Sequence, residues 1–492
     1  MSKIFDTISI GSMPIKNRFV MPPMATNYAT DDGYANDRLI AHYEARAKGG
    51  FGLIIQEFTG VDPSGKALSN QLALWDDSFI PNLKKITDAV HKYDSKIVVQ
   101  IHHGGRQTVS AALNGNAPLA PSKIPCSYCN EMPDEMSVEQ IYYLIEKFGD
   151  AALRGKKAGY DGVEIHGAHG YLICQFLSPH SNKRTDEFGG NFKGRLKFAE
   201  EVVKNVRNKV GDDYPIIFRL SLEEYVAGGL TVEQVCAIGR ALEKQGVDGF
   251  DLSVCNYTSL HMMFASPAMT YGFQQSMVSR FKASVTVPII TVGRMIPEIG
   301  SDILEAGIAD LIAFGRPALA DPELPNKFAE GKEDEIIPCI YCLQSCIGYQ
   351  SRPDKVQGCL ANPLSGHECE YKLEPSEKAK KVIVVGAGPA GLYCAWMSAK
   401  RGHNVTLYEK QNYVGGQFHA ASIPPTKHEI SALLKYNLTM CKKYGVKVVL
   451  GKEVFAEDII SEKPDAVVIA TGGVPAKPPI PGIDCRLLLH LQ

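Results

Sequence analysis

Short runs of aliphatic and β-branched residues alternate with longer stretches of helical period up to about residue 320. The strand candidates are Asn17–Met21, Leu53–Glu57, Ile97–Ile101, Gly162–His166, Pro215–Leu220, Gly249–Val254, Pro288–Val292 and Asp310–Phe314. Helical patterns at 137–158, 193–210 and 231–245 separate several of them. Alternating β and α units call for a parallel sheet, and eight of them predict a (β/α)8 TIM barrel, with a doubly wound sheet as the alternative. Between about 336 and 379 the rhythm breaks, cysteines cluster, and Pro, Gly and polar residues dominate. A new unit opens with KKVIVVGAGPAG (380–391), a buried strand running into a glycine-rich turn. The expected organisation is an α/β chain with a barrel over 1–335, a cysteine-rich segment and linker over 336–375, and a dinucleotide fold over 376–492.

Composition narrows this picture. With 492 residues the chain has room for about three domains, fewer if one is a large barrel. Apolar residues make up 45% and charged ones 22%, and the net charge is −2, so neither nucleic acid nor an anionic membrane is an expected partner. The N-terminal run has no sustained apolar stretch and no small-residue cleavage site, which predicts a cytoplasmic protein. Residues 382–399 carry no charge, but Gly386, Gly388, Pro389 and Gly391 among them suit a strand–turn–helix better than a membrane span. Thirteen cysteines in such a chain point to thiols and a metal site rather than a disulfide framework.

In a TIM barrel, chemistry collects at the C-terminal strand ends. There stand Pro22-Pro23-Met24-Ala25 after the first strand and Gln100, His102 and His103 at the third. His166, His169 and Tyr171 follow at the fourth, and Arg219 at the fifth. Gly293-Arg294 and Gly315-Arg316 close the seventh and eighth. The loops after strands 7 and 8 form the usual phosphate site of this fold, where glycine admits backbone N–H groups and arginine adds charge-assisted hydrogen bonds. His166 and His169, spaced i, i+3, would face the same way in a helical turn. The bland reading is a set of solvated turns, two core histidines and a core tyrosine. A zinc site on the histidine pair is weaker, because no carboxylate or cysteine stands at matching spacing.

The run VEIHGAHGYLICQFLSPHSNKRTDEFGG (163–190) resembles the active-site segment of the old yellow enzyme family. MPPMA (21–25), VQIHHGGR (99–106), TVGRM (291–295) and IAFGRPALADP (312–322) match its other segments in order. The resemblance implies FMN at the barrel mouth, its phosphate on Gly293, Arg294, Gly315 and Arg316. It places Pro23, Met24, Ala25, Gln100 and Arg219 around the flavin, the last two near the pyrimidine edge. It further implies that His166 and His169 hold the carbonyl or carboxylate oxygen of an activated alkene, and that Tyr171 donates a proton to the α-carbon.

Cys339-x2-Cys342-x3-Cys346-x12-Cys359 offers three close thiolates and one distant ligand, a spacing that suits a [4Fe–4S] cube; structural zinc more often uses two separated pairs. Cys369 is an alternative fourth ligand. The same spacing follows the barrel in proteins resembling 2,4-dienoyl-CoA reductase, clostridial enoate reductase and trimethylamine dehydrogenase, which implies one-electron transfer between FMN and a second flavin. Cys126 and Cys129 form another C-x2-C without a zinc partner, and read as two free thiols in a rim loop.

Gly386, Gly388 and Gly391 form G-x-G-x-x-G directly after a strand and opening a helix, a diphosphate site at a helix N-terminus. Glu409 follows at a distance suited to ribose hydroxyls. GGQ (415–417), with Gln417, and ATGGVP (470–475) resemble disulfide-reductase-like FAD domains. In such relatives an NAD(P)-binding domain follows the ATG segment, whereas here CRLLLHLQ ends the sequence off-pattern; the expectation is an incomplete FAD domain whose NAD(P) part is missing or supplied by a partner. The leading expectation is therefore ene-reduction of a small unsaturated carbonyl compound, electrons passing from NAD(P)H through FAD and the cluster to FMN. Amine oxidation of the trimethylamine dehydrogenase type needs an aromatic bowl for a cation, and the only tryptophans, Trp75 and Trp396, lie away from the strand ends. An electron-transfer subunit or inactive truncated product is the non-catalytic alternative, and a homo-oligomer is allowed.

Overall fold

The computed structural model describes residues 2–351, 355–474, 476 and 478–481; the CRLLLHLQ tail and Pro475 of the ATGGVP run lie outside the described residues. The chain divides into two compact units, Met1–Lys372 and Leu373–Gln492.

The first unit is built on eight parallel strands: β1 (Phe19–Met21), β2 (Leu53–Gly60), β3 (Lys96–His102), β4 (Gly162–Gly167), β5 (Ile216–Ser221), β6 (Gly249–Ser253), β7 (Ile289–Thr291) and β8 (Leu311–Ala313). They close in sequence order into a barrel, with Ile312 of β8 opposite Phe19 of β1. Eight helices follow them in turn: α1 (Asp37–Lys48), α2 (Ile80–His91), α3 (Val138–Lys157), α4 (Phe192–Val210), α5 (Val232–Lys244), α6 (Gln275–Lys282), α7 (Pro297–Glu305) and α8 (Leu324–Ala329). The TIM barrel read from the alternation is the observed fold. Boundaries moved where side chains act on the backbone. Asn17, expected in β1, instead uses its amide to bond Gly50 O and to accept from Phe19 N–H, so the strand starts later.

Local signals explain the elements. Ser137 and Gln140 form a reciprocal capping box that starts α3, and Asn191 accepts from Gly194 N–H to start α4. Strand residues are almost all buried, as expected for a sheet covered on one side by helices and filled on the other by its own side chains. Val20, Leu53, Ile55, Val98, Ile217, Ile290 and Leu311 share one apolar cluster with Ile10, Met13 and Ile15 of an N-terminal hairpin, Ile8–Ile10 with Met13–Ile15. That hairpin packs into the barrel interior, leaving the opposite, C-terminal mouth for chemistry.

The second unit has four parallel strands in the order β11-β10-β9-β12, where β9 is Lys381–Val385, β10 Asn404–Tyr408, β11 Lys447–Val449 and β12 Ala466–Ile469. Helices α9 (Pro389–Lys400) and α10 (Glu429–Lys443) connect β9–β10 and β10–β11, and Trp396 of α9 donates to Asn437 of α10 at 2.8 Å. In chain order this is 3-2-1-4, a Rossmann-like half with the glycine-rich turn at the strand where direction reverses. No helix of the described residues is long and apolar enough to cross a membrane.

Candidate active site and cofactor pockets

Twelve of the barrel residues singled out in the sequence line one cavity of about 260 Å³ at the barrel mouth, Pro23, Met24, Ala25, Gln100, His166, His169, Tyr171, Arg219, Gly293, Arg294, Gly315 and Arg316, whereas His102 and His103 are buried outside its lining. The two glycine–arginine corners face the same space. Gly293 takes φ +125°, and a Cβ there would lie 2.8 Å from Gln274 Nε2; a Cβ at Gly315 would lie 3.2 Å from Met24 Sδ. A side chain at Gly293 would be strained by its backbone and one at Gly315 would press on Met24, so both corners are close cradles. Arg294 and Arg316 both lie over the ring of Tyr341, at 4.6 and 4.8 Å from its centre, and Arg316 Nη1 donates to Ala265 O at 2.7 Å. Gln274 is buried beside the corner, and its Nε2 is the atom that a Cβ on Gly293 would meet. Two guanidinium groups and the glycine cradles fit the phosphate end of a nucleotide such as FMN.

Deeper in the barrel, Gln100 Nε2 donates to Glu164 Oε1 at 2.6 Å, and Arg219 Nε lies 3.0 Å from Asp251 Oδ2. Burial, and then the neighbouring Asp251, push the Glu164 carboxyl well above its ordinary range; burial raises Asp251 as well, opposed by Arg219.

The histidine pair does not sit in a helical turn, as the i, i+3 spacing suggested. His166 belongs to β4, and His169 lies beyond it with φ +60°, bridged to Asn256. The left-handed residue swings the second ring back, so the two imidazoles meet edge-on, their centres 5.2 Å apart. Burial drives both pKa values well below the ordinary histidine value, helped by His169 next to His166 and by Arg219 next to His169. Both rings are neutral. His166 Nδ1 accepts from Ala168 N–H at 3.3 Å, which puts the ring proton on Nε2. His169 Nε2 is 2.7 Å from Ser253 Oγ, and its backbone N–H donates to Ser221 Oγ at 2.8 Å.

Tyr171 is buried directly before a short helix, its ring 4.9 Å from that of His166. Its hydroxyl lies 2.6 Å from that of Tyr257. Burial raises the Tyr171 pKa above the ordinary phenol value, and the hydrogen bond to Tyr257 works against that rise. Tyr257 escaped the sequence reading although it stands just beyond β6, where the strand-end rule applies. Tyr128, Phe58 and Phe264 also line the cavity. The sequence argument against an aromatic bowl counted only tryptophans; tyrosine and phenylalanine supply an aromatic wall.

Cys339, Cys342, Cys346 and Cys359 line a second, smaller pocket together with Arg316, while Cys369 is exposed and outside it. Burial pushes the Cys339 and Cys346 thiols up to about 12, with the Arg316 charge pulling the other way. Tetrahedral zinc at 2.3 Å from each sulfur needs thiolates roughly 3.8 Å apart, whereas each thiolate of a [4Fe–4S] cluster binds a different iron at its own corner and stands farther from the others. The donor set of four converging thiols fits such a cluster.

In the second unit, Gly386 has φ +104° and a Cβ there would be 2.3 Å from Ala470 O; a Cβ on Gly391 would be 1.9 Å from Gly386 O. Gly388 precedes α9 and would meet nothing within 4 Å, so it leaves open space at the helix N-terminus. Glu409 directly follows β10, and its carboxylate accepts from Ala387 N–H at 2.8 Å and Gln411 N–H at 2.9 Å. Gly415 N–H donates to Ala387 O, and Gln417 Nε2 to Gly473 O at 2.6 Å, so the GGQ turn is bound to the glycine-rich loop. The arrangement fits a dinucleotide.

A closed parallel barrel with a phosphate corner, followed by a nucleotide-binding sheet, defines a class of flavin-dependent oxidoreductases. Residues 3–335 match the NADH:flavin oxidoreductase / NADH oxidase family and residues 380–490 match pyridine nucleotide-disulphide oxidoreductases. The chain is 43% identical over 484 residues to an NADH oxidase of Thermoanaerobacter brockii, covering 98% of this chain and 74% of that protein. It is 36% identical to a cinnamate reductase of Clostridium sporogenes, covering 98% and 76%. The structure of a 2-naphthoyl-CoA reductase with 2-naphthoyl-CoA superposes with a TM-score of 0.94 at 33% identity, covering 99% of this chain and 76% of that one. The chain belongs to the NADH:flavin oxidoreductase / NADH oxidase family.

Proposed function

We propose that this oxidoreductase reduces the C=C bond of an α,β-unsaturated carbonyl compound, with NAD(P)H as the ultimate donor. The reading is carried by one observation: two glycine–arginine corners, a neutral histidine pair and a buried phenol converge on a single cavity. Gly293, Arg294, Gly315 and Arg316 would hold the phosphate of FMN, with Pro23, Met24, Ala25, Gln100 and Arg219 around its ring. FMN held there would supply the hydride for the β-carbon. Cys339, Cys342, Cys346 and Cys359 would hold a [4Fe–4S] cluster, and Gly386, Gly388, Gly391, Glu409 and Gln417 an FAD; these groups supply one-electron relay and two-electron exchange with NAD(P)H.

The protein's own residues handle the carbonyl and the proton. His166 presents Nε2–H to the substrate oxygen, and a neutral imidazole stabilises the negative charge growing there without surrendering its proton. The His169 backbone, held by Ser221 and Gln107, fixes the second ring beside it. Tyr171 stays protonated throughout the neutral range and delivers a proton to the α-carbon, with Tyr257 sharing the phenolate charge that results. The aromatic wall of Phe58, Tyr128 and Phe264 suits an aryl enoate, in keeping with the cinnamate reductase relative.

An anaerobic screen of cinnamate, cyclohexenone and enoyl-CoA thioesters, with dithionite or reduced viologen as donor, tests this. The expected product in D2O is saturated and carries solvent deuterium on both the α- and the β-carbon, since a flavin reduced by electron donors takes its transferable hydrogen from solvent. Absence of saturated product from every alkene would sink the reading. The aromatic wall also admits amine oxidation, with a cation held against the rings; bleaching of the oxidised flavin by trimethylamine would select that chemistry instead.

A further inference from the structure

Arg316 stands between two cavities. It lines the barrel-mouth cavity as part of the phosphate corner, and it also lines the smaller pocket of Cys339, Cys342, Cys346 and Cys359. Leu319, Tyr341 and Cys346 share that double position, so these four residues form the partition between the two spaces. Arg316 belongs to the short helix Gly315–Ala320 that follows β8, and Tyr341 lies between the first two cysteines of the cluster motif. The guanidinium carbon is 4.8 Å from the centre of the Tyr341 ring, and Nη1 is tied to Ala265 O at 2.7 Å. Tyr341 is itself buried, with its hydroxyl donating to Met295 O at 3.3 Å. The cation is thus fixed by a carbonyl and by a ring that is anchored in turn. Among the described residues it is the only charged side chain lining the cysteine pocket. Arg294, its counterpart over Tyr341, lines the barrel-mouth cavity alone.

We propose that Arg316 serves two anions at once, the phosphate of FMN and the thiolate-bound cluster, and so couples the reduction potential of the cluster to the presence of the flavin. The inference rests on the cofactor reading given above. Four thiolates leave the cluster an anion, and an electron that enters without a proton adds one more negative charge. A fixed cation in the pocket wall therefore favours the reduced cluster and raises its potential. It acts through protein rather than bulk water, where a charge is felt several-fold more strongly. The FMN phosphate, with a charge of about −2 at neutral pH, offsets that cation once it is seated in the corner. The cluster is then harder to reduce with FMN in place than without it. An electron on the cluster is passed on where the flavin is present to take it, and retained where it is not. By reciprocity, FMN binds more tightly to the protein whose cluster is oxidised. Arg294 meets the same phosphate but has no place in the cysteine pocket, so its charge bears on flavin affinity and much less on the cluster.

The whole chain, freed of FMN with its iron retained, is titrated anaerobically with dithionite and viologen mediators, and the reduced cluster is followed by electron paramagnetic resonance. At a fixed potential, saturating FMN should lower the ratio of reduced to oxidised cluster in the wild type about tenfold, or about 59 mV for a one-electron couple. In the FMN-free state Arg316→Gln should lower the ratio by a similar factor, while Arg316→Lys, which keeps the charge, and Arg294→Gln should stay near wild type. An Arg316→Gln cluster that titrates like the wild type overturns the proposal, and so does an equal fall in Arg294→Gln. Should Arg316→Gln lose its iron, the wild type decides alone: a potential that is the same with and without FMN overturns the coupling. A wild type that holds iron and flavin but shows no shift sinks only this inference, whereas a wild type without a resonance from reduced iron–sulfur sinks the cluster reading beneath it.

Discussion

The barrel rim and the glycine-rich loop of the second unit each shape a nucleotide-sized site, by opposite means. At the rim, side chains do the recognising. They project from a sheet that closes on itself, with β4, β5 and β6 buried at every position. In the second unit the backbone does it: Gly386 and Gly391 are pressed onto carbonyl oxygens, and no side chain fits between. The supporting sheet is also less covered, since Val467 and Ile469 of β12 are 42% and 68% exposed. A side chain on a closed sheet can be exchanged while the scaffold stands. A loop whose shape is its function cannot be altered without altering the fold.

The largest effect expected from that contrast is at the rim and is chemical. Tyr171→Phe should lower the rate of alkene reduction by roughly 10²- to 10⁴-fold, the usual worth of a positioned general acid, with flavin content and melting temperature unchanged. A melting temperature that falls with the rate would break the contrast. Gly391→Ala should do the reverse. A Cβ 1.9 Å from Gly386 O forces the loop apart, and overpacking of this kind costs roughly 3 kcal/mol, visible as selective proteolysis or early melting of the second unit while the barrel holds. A second unit that melts normally in this variant would show the loop to be pliable. Arg316→Ala should weaken FMN binding by roughly 10- to 100-fold in fluorescence titration of the apoprotein, the loss of one charge-assisted bond.

The smallest effect concerns how the rim is held. Glu57 of β2 accepts from the backbone N–H and the hydroxyl of Thr26, in the loop carrying Met24 and Ala25. Burial raises the Glu57 carboxyl from 4.5 to about 7, against those hydrogen bonds. The folded protein therefore keeps a proton that the unfolded chain releases between pH 4.5 and 7. The stability this contributes is complete below the lower value and is lost as pH rises through the upper one. Comparing wild type with Glu57→Gln by denaturant titration, the difference should change by about 1.4 kcal/mol per pH unit in that window. A difference independent of pH would mean that Glu57 is ionised throughout.

All eight barrel strands were legible because buried parallel strands leave continuous apolar runs between amphipathic helices, and the meeting of the two glycine–arginine corners at one cavity was legible because the fold ties them to strands 7 and 8. The backbone turn that brings His169 back beside His166 was not. A non-glycine residue at φ +60° has no sequence signature, and the bridge that holds it comes from Asn256, far along the chain. The Tyr171–Tyr257 contact, 86 residues apart, and the Thr26–Glu57 clasp were hidden for the same reason: each is a meeting of side chains that only the closed barrel brings together.

Arg46 of α1 is fully buried and donates to Ala318 O and to the carboxylate of Glu368, which lies just past the last thiol of the cysteine pocket. That ion pair spans 322 residues of sequence, and severing such a pair inside a protein costs about 3–5 kcal/mol. The segment that carries the thiols is thereby latched to the first helix of the barrel. A cluster held in that pocket, as proposed above, should then lose iron to a chelator on the same clock as the barrel opens, and fading of its colour in storage would report the loss of the fold itself.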